Sequence, residues 1–427
     1  MKVAIIGAGS GFGGRISIDI LTRFQDWPVE FALCDIHGER LGIVKEYLEK
    51  AIAVNNLKDK TVTATSDRRI AVANADFVLI SVAIGGPAYY DEPFDSEMAI
   101  PAKYGIIQCV ADTVGPGAIF RALRSAPEML RMAEDINNLS DAMIMNLTNP
   151  MAILTWVLEE RSKNPVIGMC HGVTGNLHEL ARVAGVDADA VTYKAFGINH
   201  MTWFTEFSSG GRDLIPLLKE RITGEYKDEF FFRSQVMEHF GYHTTEGERH
   251  FSEYVPWFRR YAPDVFEPFV AVTRGVKGKR QAWFADMGVT IEQAESMDLI
   301  TSYESASGIM QGIVQKQAFE FSVNVRNTEG YITNLPRNAI VEIPCLADGN
   351  GLTPQHCGAL PPGCAALCKL NIIEQELVAG AILHNDLTLA KQALMVDPMV
   401  MATCTLKQAS DMFDEMLARE RELGLLP

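Results

Sequence analysis

Lys2-Val3-Ala4-Ile5-Ile6-Gly7-Ala8-Gly9-Ser10-Gly11-Phe12-Gly13-Gly14 opens the chain, and its reading decides the fold. The first five residues form a short apolar run of the kind that makes a buried parallel strand. Glycines follow at once, and from Arg15 to Phe24 the apolar residues Ile16, Ile20 and Leu21 recur at helical spacing. Strand, glycines and helix in that order suit a dinucleotide: glycine lets the backbone approach a pyrophosphate, which then sits on the helix N-terminus. The next strand, Phe31-Ala32-Leu33-Cys34-Asp35, ends in an acid able to accept from a ribose 2′-hydroxyl, which favours NAD over its 2′-phosphorylated relative. In the usual fingerprint a third glycine would fall at position 12, where this chain has Phe12.

The pattern continues outward. Thr61–Thr65, Asp76–Val82, Ala142–Asn146 and Val166–Met169 read as further strands, with Gly85-Gly86-Pro87 as a loop. Pro116 to Ile136 reads as a helix broken or kinked near Pro127, and Pro150 opens another helix. In an open doubly wound sheet ligands gather at the carboxyl ends of the strands, and there Asp35, Ser81, Asn149 and Cys170 all fall. Past residue 200 the character changes. Tyr226 to Phe284 is rich in aromatic and charged residues, including His239, His243, His250, Trp257 and Trp283, with poor periodicity, as in lids and binding loops. Helical patterns from Ile291 to Ala318, a short sheet around Phe321 to Pro344 and helices from Asn371 onward complete the chain. The expected fold is α/β: an N-terminal Rossmann-like doubly wound sheet over 1–198 and a C-terminal α+β substrate-binding and oligomerisation domain over 199–427.

Composition sets limits. With 427 residues and 48% hydrophobic content the chain can bury a large core, and a net charge of −16 without a basic cluster argues against nucleic acid or an anionic membrane surface. No signal peptide and no membrane-spanning apolar stretch is read, so a cytoplasmic protein is expected. The eight cysteines are scattered, as reduced thiols in a cytoplasmic protein would be. Cys364 and Cys368 share a helix face by spacing, and ordinary packing is expected there.

Cys170 and His200 each end an apolar strand, beside His171 and Asn199. A thiolate and an imidazole suit a divalent metal with open positions for substrate. A packed thiol near a hydrogen-bonded histidine is the competing reading, and residue types alone leave both open.

The segments Ala111-Asp112-Thr113-Val114-Gly115-Pro116-Gly117, Asn146-Leu147-Thr148-Asn149-Pro150-Met151, Gly168-Met169-Cys170-His171-Gly172, Gly197-Ile198-Asn199-His200-Met201 and Asn324-Val325-Arg326-Asn327 resemble the signature blocks of glycoside hydrolase family 4. His250 to Phe258 and Val341 to Cys345 resemble the melibiose-cleaving α-galactosidases of that family, with the uronide-cleaving members close behind. Those galactosidases usually follow the metal-binding Cys-His with Ser, where this chain has Gly172. The resemblance implies an NAD- and Mn2+-dependent glycosidase in which hydride leaves C3 for NAD+, a base removes the C2 proton, the glycosidic oxygen departs by elimination, water adds and the reduced cofactor returns the hydride. It implies Cys170 and His200 as metal ligands, and Gly7, Gly9, Ser10, Asp35 and Ser81 as cofactor contacts. Asn149, Asn199, Arg249 and Asn324 would touch the substrate. Asp112 is the candidate acid, with His171 as alternative. Glu246 is the candidate base, favoured over Glu248 and Tyr254. The expected substrate is a small α-glycoside, first an α-galactoside, with galacturonides, glucuronides and glucosides as alternatives; a homodimer or homotetramer is expected. A plain NAD-dependent hydroxyacid dehydrogenase and a non-catalytic NAD sensor are the readings from other classes.

Overall fold

The computed structural model describes residues 1–85, 92–258 and 296–427. Gly86, Pro87, Trp283 and the start of the helical pattern at Ile291 lie outside the described residues.

Strands β1 (Lys2–Ile6), β2 (Val29–Cys34), β3 (Lys60–Thr65), β4 (Phe77–Ile80), β5 (Met143–Asn146) and β6 (Val166–Gly168) alternate with helices α1 (Gly11–Arg23), α2 (Gly38–Val54), α3 (Arg68–Val72), α4 (Phe94–Lys103), α5 (Gly115–Leu139) and α6 (Met151–Arg161). The six strands are parallel in the order β3-β2-β1-β4-β5-β6, the doubly wound dinucleotide-binding arrangement, with its switch point between β1 and β4. β1, β4, β5 and most of β2 are buried on both faces and read as apolar runs, whereas the edge strand β3, Lys60-Thr61-Val62-Thr63-Ala64-Thr65, is largely exposed. Val3, Ile5, Leu33 and Leu79 belong to one core with Ile16 and Ile20 of α1 and Val44 and Leu48 of α2. Ala4, Ile6, Val78 and Ile144 belong to another with Met129, Ala133 and Ile136 of α5 and Leu154 of α6.

α5 corrects one expectation. It runs unbroken for 25 residues through Pro127. Proline there forfeits one backbone bond, and Met129, Met132, Ala133 and Ile136 carry the buried face onward, so packing outweighs the local cost.

Beyond β6 come α7 (Gly172–Ala184), β7 (Val191–Ile198), β8 (Met201–Ser209), β9 (Arg212–Asp213), α8 (Ile215–Thr223), α9 (Phe231–Phe240), β10 (His243–Thr244) and α10 (Glu248–Tyr254). They are followed by α11 (Ala306–Gln315), β11 (Phe319–Arg326), β12 (Ile340–Asp348), β13 (Gly351–Pro354), α12 (Pro362–His384), α13 (Leu387–Val396), α14 (Pro398–Thr403) and α15 (Leu406–Glu422). The antiparallel strands extend the same sheet, in the order β6-β11-β12-β7-β8-β10, to 13 strands among the described residues. Two of these junctions are one residue pair wide: Asn324 opposite Gly168 joins β11 to β6, and Glu342 opposite Gly197 joins β12 to β7. Among the described residues no helix is long and apolar enough to cross a membrane.

Candidate active site

The glycine loop is built by close approach. Gly7 has φ +84°, and a Cβ there would lie 1.8 Å from the Ser81 carbonyl oxygen at the end of β4. The amides of Gly7 and Ala8 donate to the Cys34 carbonyl, and Ser10 caps α1 by accepting from Gly13 N–H (3.3 Å). The close helix–strand contact expected of the third fingerprint glycine falls to Gly13, whose Cβ would meet the Ala8 carbonyl oxygen at 2.3 Å. Asp35, at the end of β2, accepts from Gly9 N–H and from His37 N–H, both at 2.8 Å. Gly7, Gly9, Ser10, Asp35 and Ser81 thus share one edge of the sheet, and the missing side chains at Gly7, Gly9 and Gly13 let the Ser81 carbonyl, Asp35 and the Ala8 backbone close in on the loop.

Cys170 follows β6, and its Sγ accepts from Gly172 N–H (3.3 Å) at the start of α7. His200 sits in the two-residue turn between paired Ile198 and Met201, with φ +60°. A left-handed non-glycine residue in a tight turn is strained and persists where its surroundings fix it. Tyr254 supplies one such contact, donating its hydroxyl to the Asn199 carbonyl (2.7 Å). Ligand atoms of Cys170, His200 and Glu246 lie within 4.8 Å of one another, as do those of Asp112, His200 and His250. Burial, with the charges of Glu342 and Glu246, pushes the Cys170 thiol up, and burial pushes His200 down to about 4. A neutral imidazole is the form that binds metal, and a cation would reverse the penalty on the thiolate. This donor set therefore fits a divalent ion.

Asp112 is buried on the loop before α5, where Ala111 also has a positive φ of 52°. That loop is pinned by Glu253 of α10, whose carboxylate accepts the successive N–H groups of Cys109, Val110 and Ala111. Thr113 donates to Asp112 Oδ1 (2.6 Å) and lies 3.0 Å from His200 Nδ1, while Asn149 donates to Asp112 Oδ2 (2.9 Å). His250 stands between the carboxylates, with Nε2 3.6 Å from Asp112 and Nδ1 3.3 Å from Glu246. Burial alone would raise Asp112, but the hydrogen bond and charge of His250 hold it well below the usual carboxylate range; against burial, Asp112 lifts His250 to about 9.

The amide of Asn199 is wholly buried with neither Nδ2 nor Oδ1 partnered, whereas the buried amide of Asn324 lies beside the Glu342 carboxylate. Buried amides are rarely left so, and a polar ligand is their natural partner. Asn149 differs, since its amide also accepts from Met151 N–H (3.1 Å). His171 is exposed and paired to the buried Glu304 (3.0 Å). Among the alternatives for the base, Glu248 is engaged by Arg233 (2.7 Å) and Phe232 N–H (2.6 Å), and Tyr254 by Asn199. Arg249 lies on α10 next to His250. His250, Glu253, Glu304 and Glu342 are absent from the sequence-derived set. His250 and Glu253 lie in the His250–Phe258 block and Glu342 in the Val341–Cys345 block, which carried the family resemblance without giving these residues a role; Glu304 had no signal. Cys364 and Cys368 are packed inside α12 and belong to no metal-like cluster among the described residues.

Fold and site together define a dinucleotide-binding fold whose strand ends bring a thiol, an imidazole and a carboxylate together. The sequence profile of the family 4 glycosyl hydrolases matches residues 2–186, and that of the family 4 glycosyl hydrolase C-terminal domain matches residues 195–400; the chain belongs to this family. It is 33% identical to an α-galactosidase of Rhizobium meliloti (98% of this chain, 88% of that one) and to an α-galactosidase of Bacillus subtilis (98% and 97%). An α-galacturonidase of Bacillus subtilis is 29% identical (98% and 97%). The fold matches a 6-phospho-α-glucosidase from gut microorganisms, solved with NAD and Mn2+, at TM-score 0.81 and 22% identity over 99% of this chain and 98% of that one.

Proposed function

We propose that this protein is an NAD- and Mn2+-dependent α-glycosidase that acts on α-galactosides. One observation carries the reading: Cys170 and His200, from different strand ends, meet with Glu246 within 4.8 Å on the sheet edge that also holds the glycine loop. Cys170 and His200 would hold the metal, and Gly7, Gly9, Ser10, Asp35 and Ser81 the NAD. When bound, these groups supply Lewis acidity and a hydride acceptor.

The protein's own residues do the remaining work. Asn199 and Asn324 offer buried amides to sugar hydroxyls. Asn149 and Thr113 hold Asp112 in place; ionised beside His250, Asp112 serves proton transfer to the leaving oxygen only through the proton that His250 carries, and His171 is the alternative donor. Glu246 accepts the C2 proton. The two α-galactosidase relatives support a galacto-configured substrate. A uronide is the second reading, favoured by the α-galacturonidase relative and by Arg249, whose guanidinium would suit a C6 carboxylate. A homodimer or homotetramer in the cytoplasm is part of the proposal.

The test compares p-nitrophenyl α-galactoside with the α-galacturonide and α-glucuronide, with NAD+, Mn2+ and a thiol reductant. The galactoside should turn over fastest, with no net NADH and with deuterium at C2 of product formed in D2O. A uronide preferred by orders of magnitude, lost in Arg249→Met, overturns the galactosidase reading. Net NADH from a hydroxyacid, with no glycoside cleaved, would overturn the glycosidase reading.

A further inference from the structure

Gly172 is the first residue of α7, and what surrounds it is specific. A Cβ built there would lie 2.4 Å from Glu246 Oε1 and 3.2 Å from both Cγ and Cδ of the same side chain. The volume that any other residue would occupy is therefore filled by the Glu246 carboxylate. Oε2 of that carboxylate faces His250 Nδ1 at 3.3 Å, so Oε1 is the oxygen turned toward residue 172. The backbone of Gly172 meanwhile donates its N–H to Cys170 Sγ (3.3 Å). One residue thus touches two of the three donors, the thiol through its amide and the carboxylate through its missing side chain.

We propose that Gly172 is a positioning residue whose bare α-carbon admits Glu246 to the Cys170–His200 pair as a third protein ligand for a divalent cation. The proposal rests on the metal reading above and divides the two oxygens of Glu246 between the two tasks, one to the cation and the other to the C2 proton. A carboxylate is the hard donor that a thiolate–imidazole pair lacks, and hard oxygen donors suit Mn2+. Because the obstructed atoms are the end of a flexible side chain, a residue larger than glycine would displace Glu246 and leave α7 intact. The amide bond to Cys170 would survive such a change. The effect of position 172 should therefore pass through Glu246 alone.

A double-mutant cycle on the full chain reads this directly. Mn2+ affinity is measured without NAD from the electron paramagnetic resonance of the free ion, and Co2+ loading reports the thiolate–metal absorption band. Glu246→Gln and Gly172→Ser should each weaken Mn2+ binding by about tenfold or more, the scale of losses when a ligand's support is removed. The double variant should bind no more weakly than Glu246→Gln, and the Co2+–thiolate band should persist in all three. Wild-type affinity in Gly172→Ser, or full additivity with Glu246→Gln, overturns the proposal. Should Gly172→Ser fail to fold, Glu246→Asp, which retracts the carboxylate by one methylene, takes its place, and unchanged Mn2+ affinity there overturns the proposal. Cys170→Ala separates the two layers. Unchanged Mn2+ binding in that variant sinks the metal reading itself, whereas loss there with wild-type binding in Glu246→Gln sinks only the third ligand.

Discussion

A methyl group on Gly13 would meet three backbone atoms of Ala8, the carbonyl oxygen at 2.3 Å, Cα at 2.7 Å and the carbonyl carbon at 2.8 Å. Backbone cannot step aside as a side-chain tip can, so the loop itself must move. Gly13→Ala should lower NAD+ affinity by about tenfold or more, about 1.4 kcal/mol. Gly38→Ala, at the start of α2 with open space around it, should leave affinity unchanged. Titration of NAD+ against both variants checks this, and equal affinities would refute it. The same residue shows what could be read from sequence. Glycines after a strand announced the loop, but fixed spacing pointed to position 12, because the coiling of Gly9 to Gly11 decides which residue packs against Ala8. Cys170 and His200 were legible as strand-end residues, but residue types left their role open and only the family resemblance implied a metal. Glu304 was not, since only the tertiary fold brings it to His171.

Between elements, the loop carrying Asp112 is held from below as well as by Glu253. Glu374 of α12 accepts the Gly115 N–H at the start of α5 (2.8 Å), and Asp397 caps α14 by accepting from Val400 N–H (2.7 Å). Both carboxyls are fully buried. Burial, then the charge and hydrogen bond of Asp397, push Glu374 well above its usual value, and burial pushes Asp397 up to about 6. A folded-state pKa above the unfolded one means that the native protein binds more protons, so stability falls as pH rises. For Glu374 that contribution is complete below its unfolded value of 4.5 and fades as pH climbs through the raised one. One such proton gives a slope of up to about 1.4 kcal/mol per pH unit. Glu374→Gln keeps an acceptor for Gly115 and removes the titration, so its urea-unfolding free energy should fall less than wild type's from pH 5 to 8. Parallel curves would refute the assignment. No sequence pattern marked this pair, because helix α12 is apolar nearly all round and its few polar residues read as surface.

At the scale of the molecule, the parallel half was legible from its apolar central strands and the glycine loop after the first of them, and the antiparallel half was legible only as separate pieces. That β11 would add beside β6 could not be read, because the contact rests on a single pair, Asn324 with Gly168. Glu342 with Gly197 is the matching pair at β7. The two residues proposed to hold the metal lie just past these junctions, Cys170 after Gly168 and His200 after Gly197. A cation gripping both would act as a stitch across a seam that backbone bonds alone close thinly. Native-state ligands stabilise by mass action, about 2.7 kcal/mol at a hundredfold excess over Kd. Mn2+ should therefore raise the urea midpoint and slow amide hydrogen exchange in β11 and β12. Chelation should undo both effects, and Cys170→Ser should show neither. Identical exchange in those strands with and without Mn2+ would mean that the seam holds unaided. If the stitch is real, metal supply governs the rigidity of the sheet as well as its chemistry, and starved protein would loosen first along the line where its two halves were joined.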